Sequence, residues 1–124
     1  GINNYRFIRY ADVLLMYAES LNATGNTNDA YQYVNKVRSR SGLANLPTGL
    51  DKEAFLTQLK HERLLELTGE GHRFNDLKRW GDLGNSLSSK DAGFANFEIG
   101  KHELLPIPQR DLDINPNMKQ NPGW

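Results

Sequence analysis

The sequence predicts an all-α chain of tetratricopeptide-like helical hairpins, about four helices in all, ending in an extended, proline-rich C-terminal strap. Three observations predict it. Apolar residues recur at helical spacing through the stretches before residue 81. Asn or Asp precedes two of these stretches and Gly follows each, where helix ends need such residues. Four of the five prolines fall after residue 100, where they forbid further long helices.

The first helix is predicted from about Arg6 to Asn22. Tyr10, Val13, Leu14, Tyr17 and Leu21 form one apolar stripe, and Ile8, Ala11, Leu15 and Ala18 form a second beside it. An arc this wide implies packing on two sides. Gly25 is the expected left-handed cap. Asn28 or Asp29 is expected to cap the second helix, which runs to about Arg40 and is stopped by Gly42. Its buried face is read as Ala30, Tyr33, Val34 and Val37. The short connection makes residues 1–42 an antiparallel hairpin, and the small Ala11 and Ala18 let its backbones approach. A helix, turn and helix of this length match one tetratricopeptide-like unit of roughly 34 residues, without the full repeat consensus.

Leu43–Leu50 is a loop. Asp51 is expected to cap a third helix reaching about Thr68, with Phe55, Leu56, Leu59 and Leu67 apolar and Leu64 and Leu65 widening the stripe. A fourth helix, from about His72 to Trp80, is closed by Gly81, so residues 51–81 form a second helical pair. From 82 to 100 the pattern dissolves; Gly84, Ser86, Ser88, Ser89 and Gly93 predict a mobile surface loop. In the last stretch, Leu104-Leu-Pro-Ile-Pro108 must be extended, and Asn115-Pro116 and Asn121-Pro122 mark turns. This strap, within 82–124, is expected to lie across the helices and shelter Leu104, Leu105, Ile107, Ile114 and Trp124.

Composition narrows the function. Fifteen Lys and Arg balance fifteen Asp and Glu, so no basic nucleic-acid footprint and no polybasic membrane patch is present. The absence of cysteine excludes disulfides, thiolate metal sites and a thiol nucleophile. The longest apolar run, Val13–Ala18, is far short of the roughly 20 residues that span a bilayer. With no initiating Met and helical patterning close to Gly1, the sequence reads as a segment of a larger protein.

Three groups of motifs, in this order, cover nearly the whole chain. The first is Arg9-Tyr-Ala-Asp-Val-Leu-Leu-Met-Tyr-Ala-Glu-Ser-Leu-Asn22 with Val34-Asn-Lys-Val-Arg-Ser-Arg40. The second is Glu62-Arg63-Leu-Leu-Glu66-Leu67 with Gly69-Glu-Gly71-His-Arg73-Phe-Asn-Asp76-Leu-Lys-Arg79-Trp80-Gly81. The third is Leu104-Leu-Pro-Ile-Pro-Gln109 with Asn115-Pro116 and Gln120-Asn-Pro-Gly-Trp124. Together they resemble the C-terminal segment of the RagB/SusD family; Leu67-Thr68 departs from its usual, more apolar pair. The resemblance implies a lipoprotein on the outer face of a Gram-negative outer membrane. It implies that the whole protein binds a glycan or other nutrient and closes over a SusC-like TonB-dependent transporter. It also implies that the N-terminal lipid-anchor cysteine and most of the sugar site lie outside this segment, leaving it a scaffold role without catalysis. A second reading is a tetratricopeptide-like module that binds a protein or peptide; the proline-rich tail argues against an open groove of that kind.

The residues themselves offer few chemical centres. Glu62 and Glu66, one helical turn apart, have the residue types of a glycosidase pair. Arg63, Arg73, Arg79 and Asp76 lie near in sequence and make a charge-balanced network between two helices the stronger reading. His61-Glu62 begins like a zinc-protease helix, but Leu65 stands where the second ligand belongs; His72 and His102 complete no site. Asp111-Leu-Asp113-Ile-Asn115 opens like a calcium loop, but Pro116 and Pro122 replace its required Gly and Glu, so turn capping is expected instead. No serine sits in a nucleophile elbow, and no phosphate loop is present. No catalytic, cofactor or metal residue is assigned. Of the tyrosines, Tyr5, Tyr10, Tyr17 and Tyr33 are expected mainly to pack, whereas Tyr31 faces away from the Tyr33–Val37 stripe and is expected to be exposed. The candidates for ligand contact are the aromatics Trp124, Tyr31 and Trp80, of which Trp80 is expected mainly in the core.

Overall fold

The computed structural model describes residues 7–88, 90 and 92–124. Tyr5, Arg6 and Ser89 lie outside them. The described residues form six α-helices, one 3-10 turn and no strand: α1 Tyr10–Ala23, α2 Thr27–Arg40, α3 Lys52–Glu66, α4 His72–Arg79, α5 Leu83–Leu87, the 3-10 turn Ala92–Phe94, and α6 Gln109–Ile114. The chain divides into two units, one up to His72 and the other Arg73–Trp124.

In the first unit, α1 and α2 form the expected antiparallel hairpin and α3 packs on it. Local chemistry sets the ends. Gly25 takes φ +88°, and the amide of Asn26 then reaches the carbonyl of Leu21 at 2.8 Å. Gly42 at φ +72° likewise lets Leu43 donate to Arg38 at 3.0 Å. Both ends are Schellman turns, which require a residue free to be left-handed. Asp51 caps α3, its Oδ1 accepting from the amide of Ala54 at 2.8 Å. The expected cap of α2 is corrected. Asn28 and Asp29 lie inside the helix, and Asn26 occupies the cap position without a side-chain bond to the helix amides. Instead Thr27 Oγ1 donates to Asn22 Oδ1 at 2.7 Å, while Asn22 Nδ2 donates to the carbonyl of Lys52 at 3.0 Å. The buried Asn22 thus ties the end of α1 to the starts of α2 and α3.

The core draws Ala11, Leu14, Leu15 and Ala18 from α1, Ala30, Tyr31, Val34 and Val37 from α2, Leu46 from the loop, and Phe55 and Leu59 from α3. Of the two stripes on α1, the one with Ala11, Leu15 and Ala18 is buried, joined by Leu14; Ile8, Tyr10, Val13 and Tyr17 are exposed. The small residues win because they admit α2 at close range. Leu64 and Leu65 are also exposed, so they do not widen the buried face of α3. Leu67 is buried just beyond the helix.

In the second unit, Leu77 of α4 and Leu83 of α5 are buried. The stretch 82–100 is more regular than predicted, because α5 and the 3-10 turn lie within it. A five-residue helix is too short to show a period in sequence. Gly84 is buried on α5, where a Cβ would stand 2.7 Å from the side chain of Ile99. Phe94 stacks on Phe97 with centroids 5.1 Å apart. The tail is without helix or strand over 105–108, Leu104 closes a turn on Lys101 where extended backbone was expected, and α6 follows, which was not predicted. It closes on itself. Gln120 Oε1 accepts from the amide of Ile107 at 2.8 Å, and its Nε2 donates to the carbonyl of Ile107 at 2.9 Å. Asn121 Nδ2 donates to the carbonyl of Leu105 at 2.7 Å. The expected sheltering of apolar side chains is corrected: Leu105 is 82% exposed, and Leu104, Ile114 and Trp124 are exposed too. Side-chain amides, rather than apolar burial, hold this segment.

Candidate functional site

Charged residues inside the first unit form its most ordered constellation. Residues 62, 63 and 66 share one face of α3, since steps of three and four return to the same side. That face meets the hairpin. Glu62 accepts from Arg38 of α2 at 2.7 Å. Arg63 donates to Asp12 of α1 at 2.9 Å, with both side chains buried. Glu66 accepts from Arg9, just before α1, at 2.9 Å, and from Arg40 at 2.7 Å. Arg9 also grips both oxygens of Glu70, with Nε at 3.0 and 2.8 Å and Nη2 at 2.7 Å. Four guanidinium groups thus face four carboxylates. Hydrogen bonds from Arg9 hold the Glu70 carboxyl below the usual carboxylate range, against the opposing effect of burial. Glu70 and Glu66 in turn raise the already high pKa of Arg9.

This arrangement alters the network read from sequence. Glu62, Arg63 and Glu66 do belong to one, but their partners include Asp12, Arg9, Arg38 and Arg40, which sequence reasoning did not name. Asp76 pairs with Arg79 three residues on, at 3.0 Å. Arg73 makes no ion pair among the described residues. The available signal was Asp12, a carboxylate set between Ala11 and the apolar run of α1, where only a paired charge can be buried. Each of the two glutamates proposed as a hydrolytic pair is already held by arginine. That is the geometry of counter-ions crosslinking helices.

The three aromatic candidates separate. Tyr31 is 9% exposed; its hydroxyl accepts from the amide of Leu50 at 3.0 Å and its ring meets Phe55 edge-on. The expectation that it faces solvent is corrected, because α3 packs where the hairpin alone would leave it open. Trp80 is partly buried, with the Arg79 guanidinium 4.6 Å from its ring centre. Trp124 is 47% exposed and held firmly. Its Nε1 donates to the carbonyls of Leu104 at 3.1 Å and Lys101 at 3.3 Å. The Lys101 ammonium lies 5.2 Å from the ring centre and the His102 ring stands 5.5 Å away. Of the three candidates, only Trp124 combines an exposed ring with hydrogen bonds that orient it.

A separate cleft of about 400 Å³ opens between α1 and α2. Ala11, Leu14 and Val37 give it an apolar floor, and Arg9, Tyr10, Lys36 and Arg40 its rim. Among the described residues no group of His, Cys, Asp and Glu is placed to hold a metal. His102 Nδ1 instead accepts from the amide of Glu98 at 2.8 Å. The expected turn capping by the calcium-like stretch is corrected in part: Asp111 and Asp113 lie within α6, where Asp113 accepts from Gln109, and Asn115 alone serves a turn, accepting from the amide of Asn117 at 3.1 Å. No helix among the described residues is long and apolar enough to cross a membrane.

Residues 1–124 match the SusD family. The chain is 39% identical to SusD-like protein P25 of Formosa agariphila, over 92% of its own length and 23% of the relative's. It is 36% identical to SusD-like protein P2 of the same organism, over 98% of its length and 26% of the relative's. Among solved structures, a SusD superfamily protein from Bacteroides vulgatus superposes with a TM-score of 0.81 at 38% identity, over 96% of this chain and 27% of that one. A SusD homolog from Bacteroides thetaiotaomicron gives 0.78 at 40% identity, over 97% and 27%. The chain therefore spans about a quarter of the length of these relatives, and it belongs to the SusD family.

Proposed function

We propose that this chain is a scaffold segment of an outer-membrane glycan- or nutrient-binding protein that passes its ligand to a SusC-like TonB-dependent transporter. In this reading the whole protein is tethered at the cell surface by a lipid anchor outside the segment. The segment binds and positions, and performs no covalent step. One observation carries the scaffold role: the carboxylates of Asp12, Glu62 and Glu66 are spent on arginines that join α3 to the first hairpin. Trp124 is the residue of this segment best placed to touch a sugar ring, since its exposed indole is oriented by two hydrogen bonds.

The test is native affinity electrophoresis of this chain and of the longer protein that carries it, through gels containing a panel of polysaccharides. Retardation of the longer protein alone supports the scaffold role and places the main sugar contacts elsewhere. Retardation of both by one glycan, abolished by Trp124→Ala, makes Trp124 a sugar contact and removes the purely scaffolding role. If no glycan retards either, the reading falls in favour of a peptide-binding tetratricopeptide-like module.

A further inference from the structure

The second unit carries a cation beside its exposed indole, and the local packing puts it there. Lys101 lies against Gly123, where a Cβ would stand 2.9 Å from Lys101 Cγ and Cδ. That gap lets the lysine stem run flat along the terminal turn. Its ammonium then comes to 5.2 Å from the centre of the Trp124 ring. The Lys101 side chain is only 26% exposed, so most of its length is packed. The same turn orients the ring, since Trp124 Nε1 donates to the carbonyls of Leu104 and Lys101.

The counter-ion of this lysine is loosely held. Glu98 reaches the ammonium at 3.5 Å, but its side chain is 65% exposed. An ion pair that open contributes little, and its carboxylate exchanges for another anion at small cost. His102 adds a polar group, with its ring 5.5 Å from the indole. Its Nδ1 accepts from the amide of Glu98 at 2.8 Å, so Nε2 is the nitrogen left to donate.

The C–H bonds of a sugar ring suit the negative face of an indole. A compact ammonium beside that face favours a ring that carries an anion at its edge. Lysine is a point charge without the fork of arginine, so it accepts a carboxylate or a sulfate alike. We propose that Trp124 and Lys101 form an accessory subsite for one anionic sugar residue, whose negative group displaces Glu98 from the Lys101 ammonium. The subsite is accessory because one ring and one exposed cation contribute little affinity alone. It rests on the reading of Trp124 as a sugar contact.

The test is affinity electrophoresis of the longer protein that carries this chain, through gels containing polygalacturonate, dextran sulfate or neutral dextran. Apparent affinity is read from mobility against polymer concentration. At low ionic strength at least one anionic polymer should retard the protein more than dextran does, and the two polymers separate carboxylate from sulfate as the preferred anion. Lys101→Met keeps the stem over Gly123 and removes the charge. It should weaken anionic binding about two- to fivefold, the range of an exposed ion pair, and Lys101→Arg should restore it. Glu98→Gln should strengthen binding by a similar factor, because the competing carboxylate is gone. Lys36→Met and Glu53→Gln alter exposed charges of the first unit and should change nothing. All of these effects should fade at high salt.

Anionic binding that ignores both Lys101→Met and Glu98→Gln overturns the proposal. So does a loss matched by Lys36→Met, which is the response of net charge alone. Retardation by neutral glycans only, weakened by Trp124→Ala, overturns the anionic class while the sugar contact stands. If no polysaccharide of either kind retards the longer protein, the sugar contact falls with it.

Discussion

Asp12 and Arg63 stand 51 residues apart in sequence and meet at 2.9 Å with both side chains almost fully withdrawn from water. Removing one partner takes this ion pair away from the other's buried charge. Asp12→Ala should therefore destabilise the chain by about 3–5 kcal/mol, whereas replacing both by apolar residues of similar volume should recover most of that. Urea unfolding gives the comparison through the midpoint, provided the slope is unchanged. A loss below about 1 kcal/mol for Asp12→Ala would mean the pair behaves like an exposed one.

Arg9 and Glu70 make the stability depend on acidity. Because hydrogen bonds from Arg9 lower the folded-state pKa of Glu70, the folded chain holds fewer protons than the unfolded chain at mildly acidic pH. The contribution is fully present above the unfolded value of about 4.3, and is lost as pH falls through the lower folded value. The melting temperature of the unsubstituted chain should accordingly fall more steeply below about pH 5 than that of Glu70→Gln. Parallel curves would show that no proton linkage resides in this pair.

Asp51 fixes the start of α3 through one hydrogen bond to the amide of Ala54. Asp51→Ala should cost about 1 kcal/mol, and Asp51→Asn much less, since an amide oxygen can accept the same bond. Chemical denaturation of the two variants side by side reads the difference, and equal losses would assign the effect to something other than capping.

Tyr31 is a structural residue, so its hydroxyl and its ring should affect stability and not ligand contact. Tyr31→Phe leaves the Leu50 amide without its acceptor and should destabilise by about 1 kcal/mol, while any glycan retardation of the longer protein stays as it was. Weakened retardation with unchanged stability would return Tyr31 to the ligand-binding surface.

Helix ends were legible wherever a single residue type is required by local geometry. Gly25, Gly42 and Asp51 each do alone what sequence reading expected of them, because their roles involve only the nearest few amides. Asn28 and Asp29 misled because the first turn of α2 is anchored instead by Thr27 bonding back to Asn22, a side chain in the preceding helix. The face of α1 was ambiguous because both of its stripes are apolar. Burial was decided by the size of Ala11 and Ala18. Tyr31 and the arginine network depended on α3, whose ionic contacts with Arg9 and the hairpin reach across 24 to 57 residues of sequence. No window of neighbouring residues contains that information. Trp124, which the strap was expected to shelter, is the exposed one of the three, because the turn around it is held by bonds from its indole to the carbonyls of Lys101 and Leu104 and not by apolar burial.

The amide of Gln120 occupies both backbone hydrogen-bonding groups of Ile107, and Asn121 takes the carbonyl of Leu105. An extended segment with exposed leucine and free peptide groups is a template on which another chain can add as a strand and begin a fibril. Here the template is blunted. Pro106 and Pro108 have no amide to offer, and the groups at Ile107 are already taken by a side chain that cannot propagate a ladder. The strap can therefore display an apolar surface to water while remaining a poor seed for aggregation.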